Sequence, residues 1–217
     1  MSAPPDVAAP DVPAPEVAAL VLAGGLSRRM GTDKALVAVE GTPMLARVCQ
    51  VARTALGRAA VVRVITPWPE RYAALDLAGA EFPDREPAAG LGPLHGFLHG
   101  LAGLATDWVL LLACDLPFLD AAVLRRWRAL LSTVPPETLA CLPRSGDGRW
   151  EPLCGYYRLT CRPALATHLA GGGRSFQGWL GTAPVVALAD YPSSMLRNCN
   201  QPTDLPSTCA LPASMRA

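Results

Sequence analysis

The stretch from Leu22 to Lys34, LAGGLSRRMGTDK, joins the adjacent glycines Gly24 and Gly25 to the cations Arg28, Arg29 and Lys34, directly after an apolar run. Residues without a Cβ let backbone N–H groups approach a phosphate or a base closely, and the cations neutralise phosphate oxygens. That is the chemistry of nucleotide handling. Two common nucleotide loops are excluded by spacing: Gly31 is followed by Thr32, Asp33 and Lys34, which breaks GxxxxGK[ST], and the GxGxxG pattern is absent. The bland alternative, a glycine turn with solvated basic residues, suits Gly24 and Gly25 alone better than it suits the pair with its cations.

The second residue that could do chemistry is Asp115, which follows Leu110-Leu111-Leu112-Ala113-Cys114 and precedes Leu116-Pro117. In an open α/β sheet ligands bind outside the carboxyl ends of the strands, so a carboxylate there faces the same crevice as the glycine loop. It suits Mg²⁺ on a triphosphate, because this ion takes one or two carboxylates plus substrate phosphates and keeps several waters. The alternative is an Asp that caps a turn. His95 and His99, in GPLHGFLHG, have ligand spacing but no HExxH glutamate, and His168 has no partner pattern, so a packing role is expected. Cys114 and Cys199 read as small apolar residues beside strand ends, with no thiol chemistry.

Elements that could position these residues alternate along the chain. Apolar runs predict strands over 17–23, 60–65 and 108–113 and a short one near 80–82. Helical spacing predicts helices over 43–56, 69–77, 94–104 and 120–131, the last capped by Asp120. Further on come strands over 139–142 and 152–157, helices over 163–169 and 175–180, and extended segments over 185–189 and 195–199. Strand and helix in turn mean a three-layer α/β/α domain with a mostly parallel sheet, here over 17–206. The Pro-rich residues 1–16 read as a disordered tail and 207–217 as a C-terminal tail.

Composition narrows the partners. In 217 residues, 51% are hydrophobic, and 19 Lys plus Arg stand against 18 Asp plus Glu, a net charge of +1. No basic excess points to nucleic acid, and any bound anion must be met locally. Apolar runs fall far short of the roughly 20 residues that span a bilayer, so a soluble chain without membrane contact is expected. Seven cysteines without a CxxC pair suggest neither a disulfide framework nor a zinc ribbon, and a cytoplasmic location is expected. The N-terminus lacks the basic and apolar regions of a secretory signal.

LAGGxSxRMGxDKAL at 22–36, GPLxG at 92–96, CDLPFL at 114–119, EPLCGYY at 151–157 and NxNxPxDL at 198–205 together resemble the molybdenum cofactor guanylyltransferase (MobA) family, nucleotidyltransferases of Rossmann-like fold. The resemblance implies transfer of GMP from Mg-GTP to the terminal phosphate of molybdenum-molybdopterin, with Mg²⁺ as cofactor and pyrophosphate released. It sets Leu22, Ala23, Gly24 and Gly25 against the guanine nucleotide, Lys34 on its phosphates, and Asp115 on nucleotide and metal. Arg28 or Arg29 would share the charge neutralisation, Asp84 would be a further nucleotide contact, and Asn198 and Asn200 would face the pterin. Thr66 stands where some members have Asn, and Gln201 where Thr is usual. Trp150, Tyr156 and Tyr157 could shape a pterin pocket, although aromatic residues in a strand are more often core; Arg144, Arg149 and Arg174, with Gly172 and Ser175, are weak candidates for its phosphate. Partners implied are GTP, molybdenum-molybdopterin and, transiently, cofactor-insertion proteins or molybdoenzymes. The alternatives are a cytidylyl- or sugar-phosphate nucleotidyltransferase, or a non-catalytic GTP-binding carrier, against which Lys34 and Asp115 both argue.

Overall fold

Three of the described strands are buried at every position, VAALVL in β1 (Val17–Leu22) and WVLLLA and ACLP later in the chain, and the molecule is layered around them. Such runs carry no polar face because helices cover the sheet on both sides. The computed structural model describes residues 14–24, 33–83 and 90–199. After β1 come a hairpin of β2 (Ala38–Val39) and β3 (Thr42–Pro43), then α1 (Met44–Leu56), β4 (Val62–Ile65), α2 (Pro93–Gly100), β5 (Trp108–Ala113) and α3 (Ala121–Leu130). The remainder is β6 (Ala140–Pro143), β7 (Cys154–Arg158), α4 (Arg162–Ala170), α5 (Phe176–Leu180) and β8 (Val185–Leu188). The tail expected over 207–217 and all but the last three residues of the one over 1–16 lie outside the described residues.

The six-stranded sheet has the order β4-β1-β5-β7-β6-β8. Pairs β1/β4, β1/β5 and β6/β8 are parallel, whereas β7 runs antiparallel to both β5 and β6. Alternate residues feed opposite layers. Val17, Ala19 and Val21 pack with Leu45, Val48, Val123 and Trp127 from α1 and α3, while Leu20 and Leu22 pack with Leu94, Phe97, Leu165 and Trp179 from α2, α4 and α5. This is the expected three-layer arrangement. The chain goes from β1 to β4 on one side and returns to β5 on the other, so the order reverses at β1, where a crevice opens at the carboxyl edge.

Several elements differ from expectation. The helix over 69–77 is only a 3₁₀ turn, Pro69–Tyr72, because Asp76 accepts a hydrogen bond from the Ala78 N–H at 2.9 Å and Ala78 and Gly79 then take positive φ. The strand near 80–82 is a single bridge, Arg63 to Glu81. The helix over 94–104 stops at Gly100, and the extended 195–199 is replaced by a 3₁₀ turn, Ser193–Leu196, and irregular chain. The β2–β3 hairpin was not expected; Glu40 and Gly41 both take positive φ, as a tight two-residue turn requires. No described helix is long and apolar enough to cross a membrane.

In β7, Gly155 is forced by close approach: a Cβ there would lie 2.6 Å from the Cys141 carbonyl oxygen and 2.6 Å from Leu142 Cδ2. Gly155→Ala should therefore destabilise the protein by about 1–3 kcal/mol through overpacking. At about 2–4 °C per kcal/mol for a chain of this size, a thermal melt should drop by several degrees. An unchanged midpoint would mean that β6 and β7 separate freely.

Candidate active site

The exits of β1 and β5 start side by side. The parallel ladder continues past the strand ends, with the Cys114 N–H donating to the Leu22 carbonyl at 3.0 Å and the Ala23 N–H donating to the Ile65 carbonyl at 2.9 Å. Gly24 and Asp115 are the next residues outward. The Asp115 loop is tied on two further sides: Arg47 Nε donates to the Pro117 carbonyl at 2.7 Å, and the Cys199 N–H donates to the Asp115 carbonyl at 3.0 Å.

Lys34 reaches Asp115 from the far end of the glycine-rich segment, with Nζ 3.8 Å from Asp115 Oδ2 and each side chain 21% exposed. It opens a 3₁₀ turn, Lys34–Leu36, whose start is fixed by Asp33: Oδ1 accepts from the Ala35 N–H at 3.1 Å. The other oxygen of Asp33 accepts from the Tyr72 hydroxyl at 2.7 Å, and Arg71 Nη1 lies 3.7 Å from it. Burial, then the hydrogen bond to Asp33, pushes the Tyr72 phenol far above its ordinary range, so it remains a donor. Local sequence could have shown Asp33 as a helix cap. Nothing local signals Tyr72, which is 39 residues away.

The Asp115 carboxyl is raised above the usual carboxylate range, by burial first, with the Lys34 charge opposing. A carboxylate drawn largely out of water gains from nearby positive charge, and among the described residues Lys34 supplies it at 3.8 Å. Its donor chemistry fits a hard divalent cation carried in on phosphates. Among the described residues, no group of three or more His, Cys, Asp or Glu side chains gathers to hold a metal alone.

The remaining candidates divide clearly. Leu22 and Ala23 are buried, at 9% and 2% exposure, and the Leu22 carbonyl and Ala23 N–H are used in the bonds to Cys114 and Ile65. Asn198 is exposed and adjoins Cys199, which is tied to Asp115. Thr66 is buried and its Oγ accepts from the Trp68 N–H at 3.2 Å, a local role in the turn. Gly25, Arg28, Arg29, Asp84 and Asn200 lie outside the described residues. Burial and the neighbouring Asp115 charge push the Cys114 thiol well up, which leaves no thiolate nucleophile there. Tyr156 and Tyr157 are core, their hydroxyls donating to the Leu124 and Pro152 carbonyls at 2.7 Å. Arg144 is used within its own turn, donating to the Gly148 carbonyl at 2.6 Å and lying 3.7 Å over the Trp150 ring.

Comparison with known proteins gives the family and the fold. A profile described as the MobA-like NTP transferase domain matches residues 19–184. A Nostoc sp. protein named probable molybdenum cofactor guanylyltransferase is 51% identical over 187 residues, covering 86% of this chain and 87% of its own. Among solved structures, the molybdopterin-guanine dinucleotide biosynthesis protein A of Archaeoglobus fulgidus matches with a TM-score of 0.65 at 23% identity, over 86% of this chain and 93% of that one. The 2-C-methyl-D-erythritol 4-phosphate cytidylyltransferase of Thermus thermophilus matches with a TM-score of 0.62 at 23% identity, over 87% and 95%. At that identity both structures speak for the fold alone.

Two substitutions separate site from scaffold. Gly24 is not in the left-handed region, and an added methyl would meet Pro67 Cδ at an ordinary 3.5 Å, so the fold itself does not require glycine. Gly24→Ala should melt like the wild type yet bind Mg-GTP more weakly by calorimetry. Asp115→Asn should melt higher than the wild type at neutral pH. A carboxyl whose folded pKa is raised destabilises the fold once ionised, and this penalty grows as pH rises from the unfolded value and is complete above the folded pKa. The gap between variant and wild type should therefore close as pH falls to the unfolded value of 3.8, and melts across a pH series would check it.

Proposed function

Since the chain belongs to the MobA-like NTP transferase family, we propose that it transfers GMP from GTP to the terminal phosphate of molybdenum-molybdopterin, giving molybdopterin guanine dinucleotide and pyrophosphate. The observation that carries the reading is the 3.8 Å approach of Lys34 to Asp115 at the adjoining exits of β1 and β5. One cation and one desolvated carboxylate there suit a triphosphate and the divalent metal that accompanies it.

An oxygen of the acceptor phosphate forms a bond to the α-phosphorus, and the bond from that phosphorus to the bridging oxygen of pyrophosphate breaks, the electron pair leaving with pyrophosphate. The attacking monoester is already ionised near neutral pH, its second pKa being about 6, so no protein base is needed. The work is charge neutralisation and alignment. Lys34 exchanges its pairing with Asp115 for the phosphate oxygens. Asp115 holds the metal, Mg²⁺ in this reading, which when bound neutralises triphosphate charge and templates the two substrates. Leu22, Ala23, Gly24 and Gly25 would border the nucleotide, as the family resemblance implies. Arg28, Arg29 and Asp84 complete its surroundings, and Asn198 and Asn200 face the pterin. The proposed setting is the cytoplasm, with cofactor-insertion proteins or molybdoenzymes as transient recipients.

Incubation with each Mg-NTP and molybdenum-molybdopterin should release pyrophosphate and form the dinucleotide with GTP, and chelation of the metal should stop it. Asp115→Ala should fold and lose about 10²–10³-fold in turnover, the range for removing one electrostatic group from a transition state. Turnover with CTP in place of GTP would reassign the base. Tight GTP binding without pyrophosphate would make the protein a carrier.

A further inference from the structure

A recess of about 390 Å³ lies beside the turn that joins β6 to β7, lined by Ser145, Asp147, Arg149, Trp150, Glu151 and Gln177 among others. Its position follows from the sheet. Because β7 is antiparallel to both β5 and β6, the end of β6 and the start of β7 stand at the same edge as the exit of β5. The Ala113 N–H donates to the Leu153 carbonyl at 2.9 Å, so the stretch leading into β7 flanks the Asp115 loop on the side away from β1 and Lys34.

The recess has a firm frame. The Ser145 N–H donates to the Arg149 carbonyl at 2.8 Å, the Glu151 N–H to the Pro143 carbonyl at 3.0 Å, and Gln177 Nε2 to the Trp150 carbonyl at 2.6 Å. These bonds fix the backbone on either side of the Glu151 carboxylate. Asp147 and Glu151 outweigh the one cation of the lining, Arg149, which makes the recess a poor home for a phosphate, and Arg144 is already engaged with Gly148 and Trp150. A half-buried carboxylate beside an indole and a carboxamide instead suits a flat heterocycle that presents adjacent N–H donors.

We infer that this recess reads the aminopyrimidinone edge of the acceptor's pterin, with the Glu151 carboxylate accepting from the ring N–H and the exocyclic amino group. The inference rests on the guanylyl-transfer reading, which makes the acceptor a pterin. Burial and the Asp147 charge raise the proton affinity of Glu151, with the Ser145 hydroxyl and the Arg149 charge opposing. Guanine carries the same edge, but the recess lies across Asp115 from Lys34, where the acceptor belongs and the triphosphate does not. The pterin is then held at one end while its phosphate points to Asp115.

Calorimetry on the full chain tests this with two separate titrants, 6-hydroxymethylpterin as a phosphate-free probe and Mg-GTP. Glu151→Gln should weaken pterin binding about tenfold or more and leave GTP binding unchanged. In turnover the acceptor KM should rise while kcat at saturating acceptor holds. Trp150→Leu, which removes the ring face but keeps the carboxylate, should weaken the pterin as well, and melts of both variants establish that they fold. Wild-type protein that ignores the pterin, or Glu151→Gln that binds it equally well, overturns the assignment. Parallel loss of GTP would also overturn it, by giving the recess to guanine. Pterin binding that depends on Glu151 without any GMP transfer would support the recess and refute the transferase.

Discussion

A carboxylate drawn largely out of water at the exit of β5 is the condition on which the rest of the structure turns. Asp115 is held above the usual carboxylate range by burial, and Lys34 at 3.8 Å offsets this only in part. A fold selected for stability alone would place a neutral residue there. Keeping the acid makes sense when something cationic arrives with the substrate, and the surrounding hydrogen bonds hold the acid in place for it. Parallel pairing of β1 with β5 sets the two exits side by side, Arg47 and the Cys199 N–H tether the Asp115 loop, and Asp33 fixes the turn that presents Lys34.

The single reversed strand divides the work of the crevice. In a wholly parallel sheet the carboxyl edge collects only strand exits. Because β7 runs backwards, its start also lies on that edge, and the turn carrying Trp150 and Glu151 stands across the exit of β5 from the exit of β1. In the proposed reading, donor nucleotide and acceptor take separate walls of that edge. The small cluster of Val37, Val39, Met44 and Cys199, with Phe118 against it, packs the β2–β3 hairpin to the segments that follow Asp115 and precede Asn200.

Much of this was legible in the chain because burial leaves a plain mark. The runs in β1 and β5 and the Asp120 cap of α3 were read almost to the residue, and Lys34 and Asp115 stood out as charges at apolar strand exits. Strand direction was less accessible: hydrophobicity says that CGYYR is buried and nothing about which way it runs. The helix over 69–77 failed because an Asp76 turn outweighs helical spacing, and the β2–β3 hairpin was missed because Glu40 is a poor signal for a left-handed turn residue. The Tyr72–Asp33 bond and the meeting of Gln177 with Trp150, 27 residues apart, exist only in three dimensions. Burial also shows what family likeness does not, that Leu22 and Ala23 are almost wholly covered.

The most direct measurement is a crystal structure of the chain with Mg²⁺ and a GTP analogue that resists cleavage. The account requires the Lys34–Asp115 pair to part, with the ammonium on the phosphates and the carboxylate on the metal. A nucleotide seated elsewhere, with that pair still closed, would contradict it.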